Sequence, residues 1–106
     1  MTPPARAILV VDDSPETQEI LRRNLEGRGF AVTTAGAVPE ALELLEVTRF
    51  DLVITDLKMP RVSGIDLVRH VRENLPHSEV MMITGYATIS SAVEAVKAGA
   101  EEYLSK

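Results

Sequence analysis

Short apolar runs alternate with amphipathic stretches along the whole chain. The runs AILVV from Ala7, LVI from Leu52 and VMMI from Val80 contain no polar residue. Runs of this kind are typical of strands that are covered on both faces. Together with two further segments, they predict five strands, at 7–11, 30–35, 51–56, 80–84 and 103–106.

Between these strands, apolar residues recur every three or four positions, as they do on one face of a helix. Four helices are predicted, at about 15–28, from about 38, at about 64–75 and at 88–98. The first has a clear start, because Ser14 can cap it, Pro15 suits the first helical position and Glu16 lies near the positive end of the helix dipole. Pro76 ends the third helix and Gly99 the fourth.

Alternating strands and helices indicate an α/β fold with a doubly wound, five-stranded parallel sheet. In such sheets, ligands bind at the carboxyl ends of the strands. Polar residues occupy those ends: Asp12 and Asp13 follow the first strand, Asp56 ends the third, Thr84 ends the fourth and Lys106 lies in the fifth. The pattern therefore predicts that these side chains gather at one edge of the sheet.

Size and composition narrow the class of protein. The 106 residues suffice for a single domain, 1–106. A net charge of −5 argues against direct binding to nucleic acid or to an anionic membrane, and no apolar run approaches the roughly 20 residues of a membrane span. The chain has no cysteine and no apolar N-terminal stretch like that of a signal peptide, so we expect a cytoplasmic protein.

The three acids at the predicted edge suggest a chemistry. Carboxylates of Asp12, Asp13 and Asp56 within a few ångströms would repel by roughly 4 kcal/mol per pair, unless their pKa values rise or a cation compensates. Mg²⁺ prefers oxygen ligands of this kind. A carboxylate can also attack phosphorus and form an aspartyl phosphate, with a metal ion, a cation and a hydroxyl on the phosphoryl oxygens. Thr84 and Lys106 could supply the last two.

Four segments, ILVVDDS, LVITDLKMP with the following SG, MMITGYAT and AGAEEYLSK, resemble the receiver domain of two-component response regulators. They occur in the family's order and spacing, over essentially the whole chain. The resemblance implies a flavodoxin-like sheet of order 2-1-3-4-5. Since crossovers are right-handed, the first helix then lies alone on one face of the sheet and the others lie on the opposite face.

The resemblance also implies roles for single residues at a magnesium site. Asp56 would be the phosphoacceptor and a metal ligand. Asp13 would bind Mg²⁺ directly and Asp12 through water, and the main-chain carbonyl of Lys58 would be a further ligand.

Three other residues would respond to the phosphoryl group. Lys106 would pair with its oxygens, Thr84 would be the switch hydroxyl, and Tyr103 would be the aromatic side chain whose rotamer follows Thr84. The chain would be a switch and not an enzyme, since it would catalyse only its own phosphoryl transfer and self-dephosphorylation.

The partners implied are a sensor histidine kinase, which carries the donor histidine, and an output domain that regulates transcription. The segment from Gly85 to Lys106 is similar to receivers of AAA+ transcription activators, in which the fourth helix and fifth strand mediate dimerisation. The family continues past the lysine with a fifth helix. We therefore expect a domain truncated before that helix, or a homodimer in which a second chain covers the open sheet face.

Three alternatives remain open. The acids could merely cap helices and turns, although three of them at one edge make this interpretation weak. The same fold could be an interaction module that works without phosphorylation. A phosphatase of the haloacid dehalogenase type also uses a strand-end aspartate and magnesium, but it is expected to have a second acid two positions later, where this chain has Lys58.

Overall fold

The structure is a computed structural model that describes residues 6–56, 64–75 and 78–83. Within these ranges, only the main chain is described at Asp56, Gly64, Ile65, Met82 and Ile83. Four strands alternate with three helices in the order β1 (Ala7–Val11), α1 (Pro15–Glu26), β2 (Ala31–Ala35), α2 (Val38–Val47), β3 (Leu52–Asp56), α3 (Gly64–Asn74) and β4 (Glu79–Ile83). The predicted fourth helix and fifth strand lie outside the described residues.

The four strands form one parallel sheet of order β2-β1-β3-β4. This is the order that the resemblance implies for these strands. β1 is central and pairs with β2 and β3, with Val11 opposite Ala35 on one side and Thr55 on the other. β3 also pairs with β4, so that Asp56 lies opposite Ile83. The carboxyl ends of the four strands therefore lie at one edge.

The helices lie on the two faces as right-handed crossovers require. On one face, Leu21 and Leu25 of α1 pack against alternate residues of the central strands, which include Ile8 and Ile54. On the other face, α2 and α3 pack against the remaining alternate residues. That second core contains Leu9, Val11, Val38, Ala41, Leu45, Val53, Leu67 and Val71. Burial of each large apolar side chain contributes about 1.5–3 kcal/mol, so the two cores hold the strand ends in place.

The strands differ in burial because they differ in position. β1 is buried from Ile8 to Val11, as its apolar run predicts. β2 is at the edge of the described sheet, and its residues alternate between exposed and half-buried up to Ala35. An edge strand has a neighbour on one side only, which explains why threonines are tolerated at positions 33 and 34.

Several boundaries differ from the expected ones by one or two residues. α1 ends at Glu26, because residues 27–29 form a tight turn in which Gly29 has a φ of 94°, a conformation that suits glycine. The N–H of Phe30 donates to the carbonyl of Leu25 at 3.2 Å, so β2 begins one residue later than predicted. β3 begins at Leu52, and β4 begins at Glu79, which pairs with Leu52.

None of the described helices is long and apolar enough to cross a membrane.

Candidate functional site

Asp12 is the first residue after β1, and it is held by both its main chain and its side chain. Its N–H donates to the carbonyl of Ala35 at 3.0 Å, which continues the β1–β2 pairing by one residue. Its Oδ1 accepts a hydrogen bond of 2.8 Å from the N–H of Ser14. The residue is only 4% exposed. Asp12 is therefore a buried acid with a fixed orientation at the carboxyl edge.

The local sequence explains why the chain turns at this point. Ser14 caps α1 by accepting a 3.3 Å hydrogen bond at Oγ from the N–H of Thr17, and Pro15 begins the helix. Both features were predicted. Asp13 lies between the buried Asp12 and this cap, and it is exposed. The two acids thus occupy a short connection that is fixed at both ends.

The register of the sheet brings Asp56 to the same edge. Val11 and Thr55 are paired across β1 and β3, and the next residue in each chain segment is an aspartate. Neighbouring strands are about 4.8 Å apart, so the main chains of Asp12 and Asp56 are adjacent. The structure therefore brings together the strand ends that carry the predicted acids, and it describes Asp56 by its main chain alone.

Other predicted site residues fall outside the described part of the chain; these are Lys58, Thr84, Tyr103 and Lys106. Among the side chains that are described, no three histidine, aspartate or glutamate residues form a cluster that could hold a metal ion. The Asp56 side chain is not among those described, so this finding does not test whether Asp12, Asp13 and Asp56 form a metal site together.

The donor atoms present at the edge fit Mg²⁺. Asp12 and Asp13 supply carboxylate oxygens on adjacent residues, and the next strand ends in a third aspartate. Hard divalent cations favour such ligands, whereas zinc or copper would favour nitrogen or sulfur. Asp12 and Asp13, with Asp56, are therefore the residues that would hold the ion.

One contact at this edge was not anticipated from the sequence. Nε2 of Gln18, in the second turn of α1, donates to the carbonyl oxygens of Asp12 at 2.6 Å and Ala35 at 3.3 Å. A signal for it exists in the sequence, because Gln18 is a polar residue three and seven positions before the buried Leu21 and Leu25. An amide on the apolar side of a helix needs hydrogen-bond partners.

A nearby ion pair on α1 lies on the exposed side of the helix. Partial desolvation raises the pKa of the Glu19 carboxyl, but hydrogen bonds and charges from Arg22 and Arg23 outweigh it, so the pKa is lowered from 4.5. Nε of Arg23 lies 3.0 Å from Glu19 Oε1, and Arg22 also contacts the carboxylate. Exposed pairs of this kind contribute little to stability.

A cleft of about 250 Å³ lies at the opposite edge of the sheet. Its lining includes Leu45 in the last turn of α2, Phe50 before β3, Leu75 just after α3 and Ser78 just before β4. Ligands of doubly wound sheets bind beyond the carboxyl ends of the strands. The cleft is therefore distant from the acids and is not part of the candidate site.

A parallel sheet with this strand order and with acids at the ends of β1 and β3 is the arrangement expected of the receiver class of signalling domains. The chain belongs to that class: residues 8–106 match the response regulator receiver domain family.

Relatives and solved structures agree with this assignment. The chain is 41% identical over 98 residues to the response regulator protein PilR of Pseudomonas aeruginosa, and 36% identical over 99 residues to the alginate biosynthesis transcriptional regulatory protein AlgB of the same species. These matches cover 92% and 93% of this chain but only 22% of each relative. The chain thus spans about a fifth of the length of these regulators.

The fold is that of solved receiver proteins. The response regulator protein TrrA of Thermotoga maritima, solved in complex with Mg²⁺-BeF, has a TM-score of 0.73 and 32% identity, over 85% of this chain and 78% of that chain. Phosphorylation-dependent switching is the general function of the family, and receiver domains are signalling switches that bind Mg²⁺, not classical enzymes. They act together with sensor kinases and output domains in full-length regulators.

Proposed function

We propose that Asp56 is the phosphoacceptor of a magnesium-dependent switch that spans residues 1–106. The observation that carries the proposal is the register of the central strands, in which Val11 opposite Thr55 is followed on each strand by an aspartate. Acids at the ends of adjacent strands can hold one cation, and a carboxylate oxygen of Asp56 can act as the nucleophile.

The proposed reaction is a phosphoryl transfer from a histidine of a sensor kinase. A carboxylate oxygen of Asp56 forms the bond to phosphorus while the phosphorus–nitrogen bond to the donor imidazole breaks, and the imidazole leaves with its electron pair and takes up a proton. Mg²⁺ supplies charge compensation for the phosphoryl oxygens when it is bound.

Within this chain, each residue has a distinct part. The carboxylates of Asp12, Asp13 and Asp56 and the main-chain carbonyl of Lys58 would hold the ion, with Asp12 acting through water. Lys106 pairs with the phosphoryl oxygens, and a hydrogen bond from Thr84 to a charged oxygen is worth about 1.5–3 kcal/mol. That energy shifts a two-state equilibrium about ten- to a hundredfold, and Tyr103 follows the shift.

The output of the switch is proposed to be transcriptional regulation in the cytoplasm. AlgB is named a transcriptional regulatory protein, and it is similar to this chain over 99 residues. The fourth helix and fifth strand would carry the change to the output domain, and homodimerisation through them would transmit it. Loss of the phosphoryl group by self-catalysed hydrolysis would reset the switch.

Intact-mass measurement after incubation with acetyl phosphate and Mg²⁺ tests the proposed acceptor. Wild-type protein is expected to gain the mass of one phosphoryl group, and Asp56→Ala none. Asp51→Asn is a matched control, because Asp51 lies at the other end of the same strand segment, and this variant should be phosphorylated like wild type. An adduct on Asp56→Ala equal to that on wild type would refute the assignment. No adduct on wild type would favour a phosphorylation-independent interaction module.

A further inference from the structure

Gln18 is the only glutamine in the chain, and it lies where α1 passes the ends of β1 and β2. It is half-buried, and its main-chain N–H is already used within the first turn, where it donates to the carbonyl of Ser14 at 3.1 Å. The side-chain amide makes two hydrogen bonds outside the helix.

The Gln18 amide joins the two strand ends. Nε2 donates to the Asp12 carbonyl at 2.6 Å and to the Ala35 carbonyl at 3.3 Å, and the Asp12 N–H donates to that same Ala35 carbonyl at 3.0 Å. These three hydrogen bonds link the Gln18 side chain, the end of β1 and the end of β2, so one helix side chain connects two neighbouring strands. This arrangement is located one residue before the exposed Asp13.

The carbonyl that Gln18 holds belongs to the peptide unit between Asp12 and Asp13. A peptide unit is planar, so its orientation is set by the two dihedral angles on either side. A change of ψ at Asp12 alone would move this carbonyl oxygen and, with it, the Cα and Cβ atoms of Asp13, so the contact with Gln18 restrains where Asp13 lies relative to Asp12. Ser14 separately fixes the Asp12 carboxylate through the 2.8 Å hydrogen bond to Oδ1. Gln18 is thus the contact that orients the link between the two acids.

We propose that Gln18 is a positioning residue of the metal site, which sets the affinity for Mg²⁺ by fixing the Asp12–Asp13 peptide. The inference rests on the proposed function, because it assumes that these two acids hold the ion. Outer contacts that orient metal ligands commonly change metal affinity by about tenfold to a hundredfold when they are removed. We expect a loss at the lower end of that range, since Gln18 acts through the main chain.

The test compares two substitutions at Gln18 with a matched one elsewhere on α1. Gln18→Met keeps the length of the side chain but removes the donor. Gln18→Glu keeps the shape but replaces the donor with an acceptor and adds a negative charge. Asn24→Met is the control, because Nδ2 of Asn24 also donates to a carbonyl, that of Ile20 at 2.8 Å, on the exposed part of the same helix.

Mg²⁺ affinity is measured by following backbone amide NMR shifts during titration, at a temperature at which circular dichroism shows each variant to be folded. Gln18→Met and Gln18→Glu are both expected to bind Mg²⁺ about tenfold more weakly than wild type, and Asn24→Met is expected to bind it equally well. Gln18→Glu is decisive, because an added negative charge alone would strengthen the binding of a cation.

A second measurement needs no variant and no metal. In the metal-free wild type, the side-chain amide protons of Gln18 should exchange with water more slowly than those of the exposed Asn24. Exchange at equal rates would contradict the contact.

The outcomes separate this inference from the proposed function. If wild type binds Mg²⁺ and both Gln18 variants bind it equally well, the inference is overturned and the function stands. If wild type does not bind Mg²⁺, the proposed function fails and the inference fails with it.

Discussion

At the scale of single residues, the two aspartates of the β3 segment have different surroundings. Oδ2 of Asp51 accepts a 2.8 Å hydrogen bond from the N–H of Ala7, and its main chain bonds to Ala7 and to Glu79. Asp51 therefore joins β1, β3 and β4 at their amino ends. Asp56, five residues later, ends the strand at the carboxyl edge beside Asp12. One acid serves the fold, and the other lies at the edge where the proposed function requires it.

Replacement of Asp51 should affect stability and leave phosphorylation intact. Asp51→Ala removes the acceptor of the Ala7 N–H, so the free energy of unfolding should fall by about 1–2 kcal/mol. Urea denaturation measures this change. Asp51→Asn keeps an acceptor oxygen and should lose less. An Asp51→Ala protein as stable as wild type would show that the hydrogen bond contributes nothing.

The sequence pattern indicates some of the candidate site residues and not others, and the difference has a physical reason. Asp12, Asp13 and Asp56 could be predicted because each follows an apolar strand, which is a local pattern. The role of Asp51 depends on a partner 44 positions away, and that of Gln18 on two strand ends. Such contacts depend on register, which composition and periodicity do not specify. The assigned roles of Asp12, Asp13 and Asp56 remain predictions, as do those of Thr84, Tyr103, Lys58 and Lys106.

At the scale of secondary-structure elements, the helices differ in how they begin. α1 has a serine N-cap, a proline and an acid in its first turn, all of which were predicted. α2 begins after Ala37, which makes no side-chain capping hydrogen bond, although Oε2 of Glu40 accepts from the N–H of Gly36 at 3.2 Å. Glu40 therefore reaches back to Gly36, the residue before the N-cap, and no side chain caps the helix from position 37.

Ala37→Ser should supply the side-chain cap that α2 lacks. Ala37 has the extended conformation typical of an N-cap, with φ −158° and ψ 159°. A hydroxyl there can accept from an unpaired N–H of the first turn, so the free energy of unfolding should rise by about 1 kcal/mol. Thermal or urea denaturation gives the value.

The matched variant for this test is Ser14→Ala, which removes the cap that α1 has. It should lower the free energy of unfolding by about 1 kcal/mol. If Ala37→Ser has no effect or destabilises the protein while Ser14→Ala behaves as expected, the account of the α2 start is wrong.

Element boundaries were less predictable than the elements themselves. The strands and helices of the described ranges all occur where apolar patterns place them, but α1 and β2 differ at their junction. The N–H of Phe30 is used by the turn that ends α1 and not by the sheet. An apolar side chain does not reveal where its N–H is bonded, so the pattern extended β2 by one residue.

At the scale of the whole molecule, the strand order was implied by the family resemblance, and the handedness of the crossovers then placed the helices. Right-handed crossovers put α1 on one face and α2 and α3 on the other, and the two separate cores confirm this. The same topology brings the carboxyl ends of β1 and β3 together and so concentrates acids at one edge. Carboxylates gathered at this edge would repel one another, and a bound cation would offset that repulsion.

Mg²⁺ should therefore stabilise the folded protein. At a concentration ten times the Kd, the free energy of unfolding should rise by about 1.4 kcal/mol. Thermal denaturation with and without Mg²⁺ measures the effect. Asp51→Asn should respond like wild type, whereas Asp13→Asn should respond less. An equal response in Asp13→Asn would show that the ion binds elsewhere.

The most direct test of the account identifies the residue that carries the phosphoryl group. Borohydride reduces an aspartyl phosphate to homoserine, which peptide mass spectrometry can locate after treatment with acetyl phosphate and Mg²⁺. The account predicts homoserine at position 56 alone, and none when Mg²⁺ is withheld. Homoserine at position 12, 13 or 51, or at position 56 without any dependence on Mg²⁺, would contradict it.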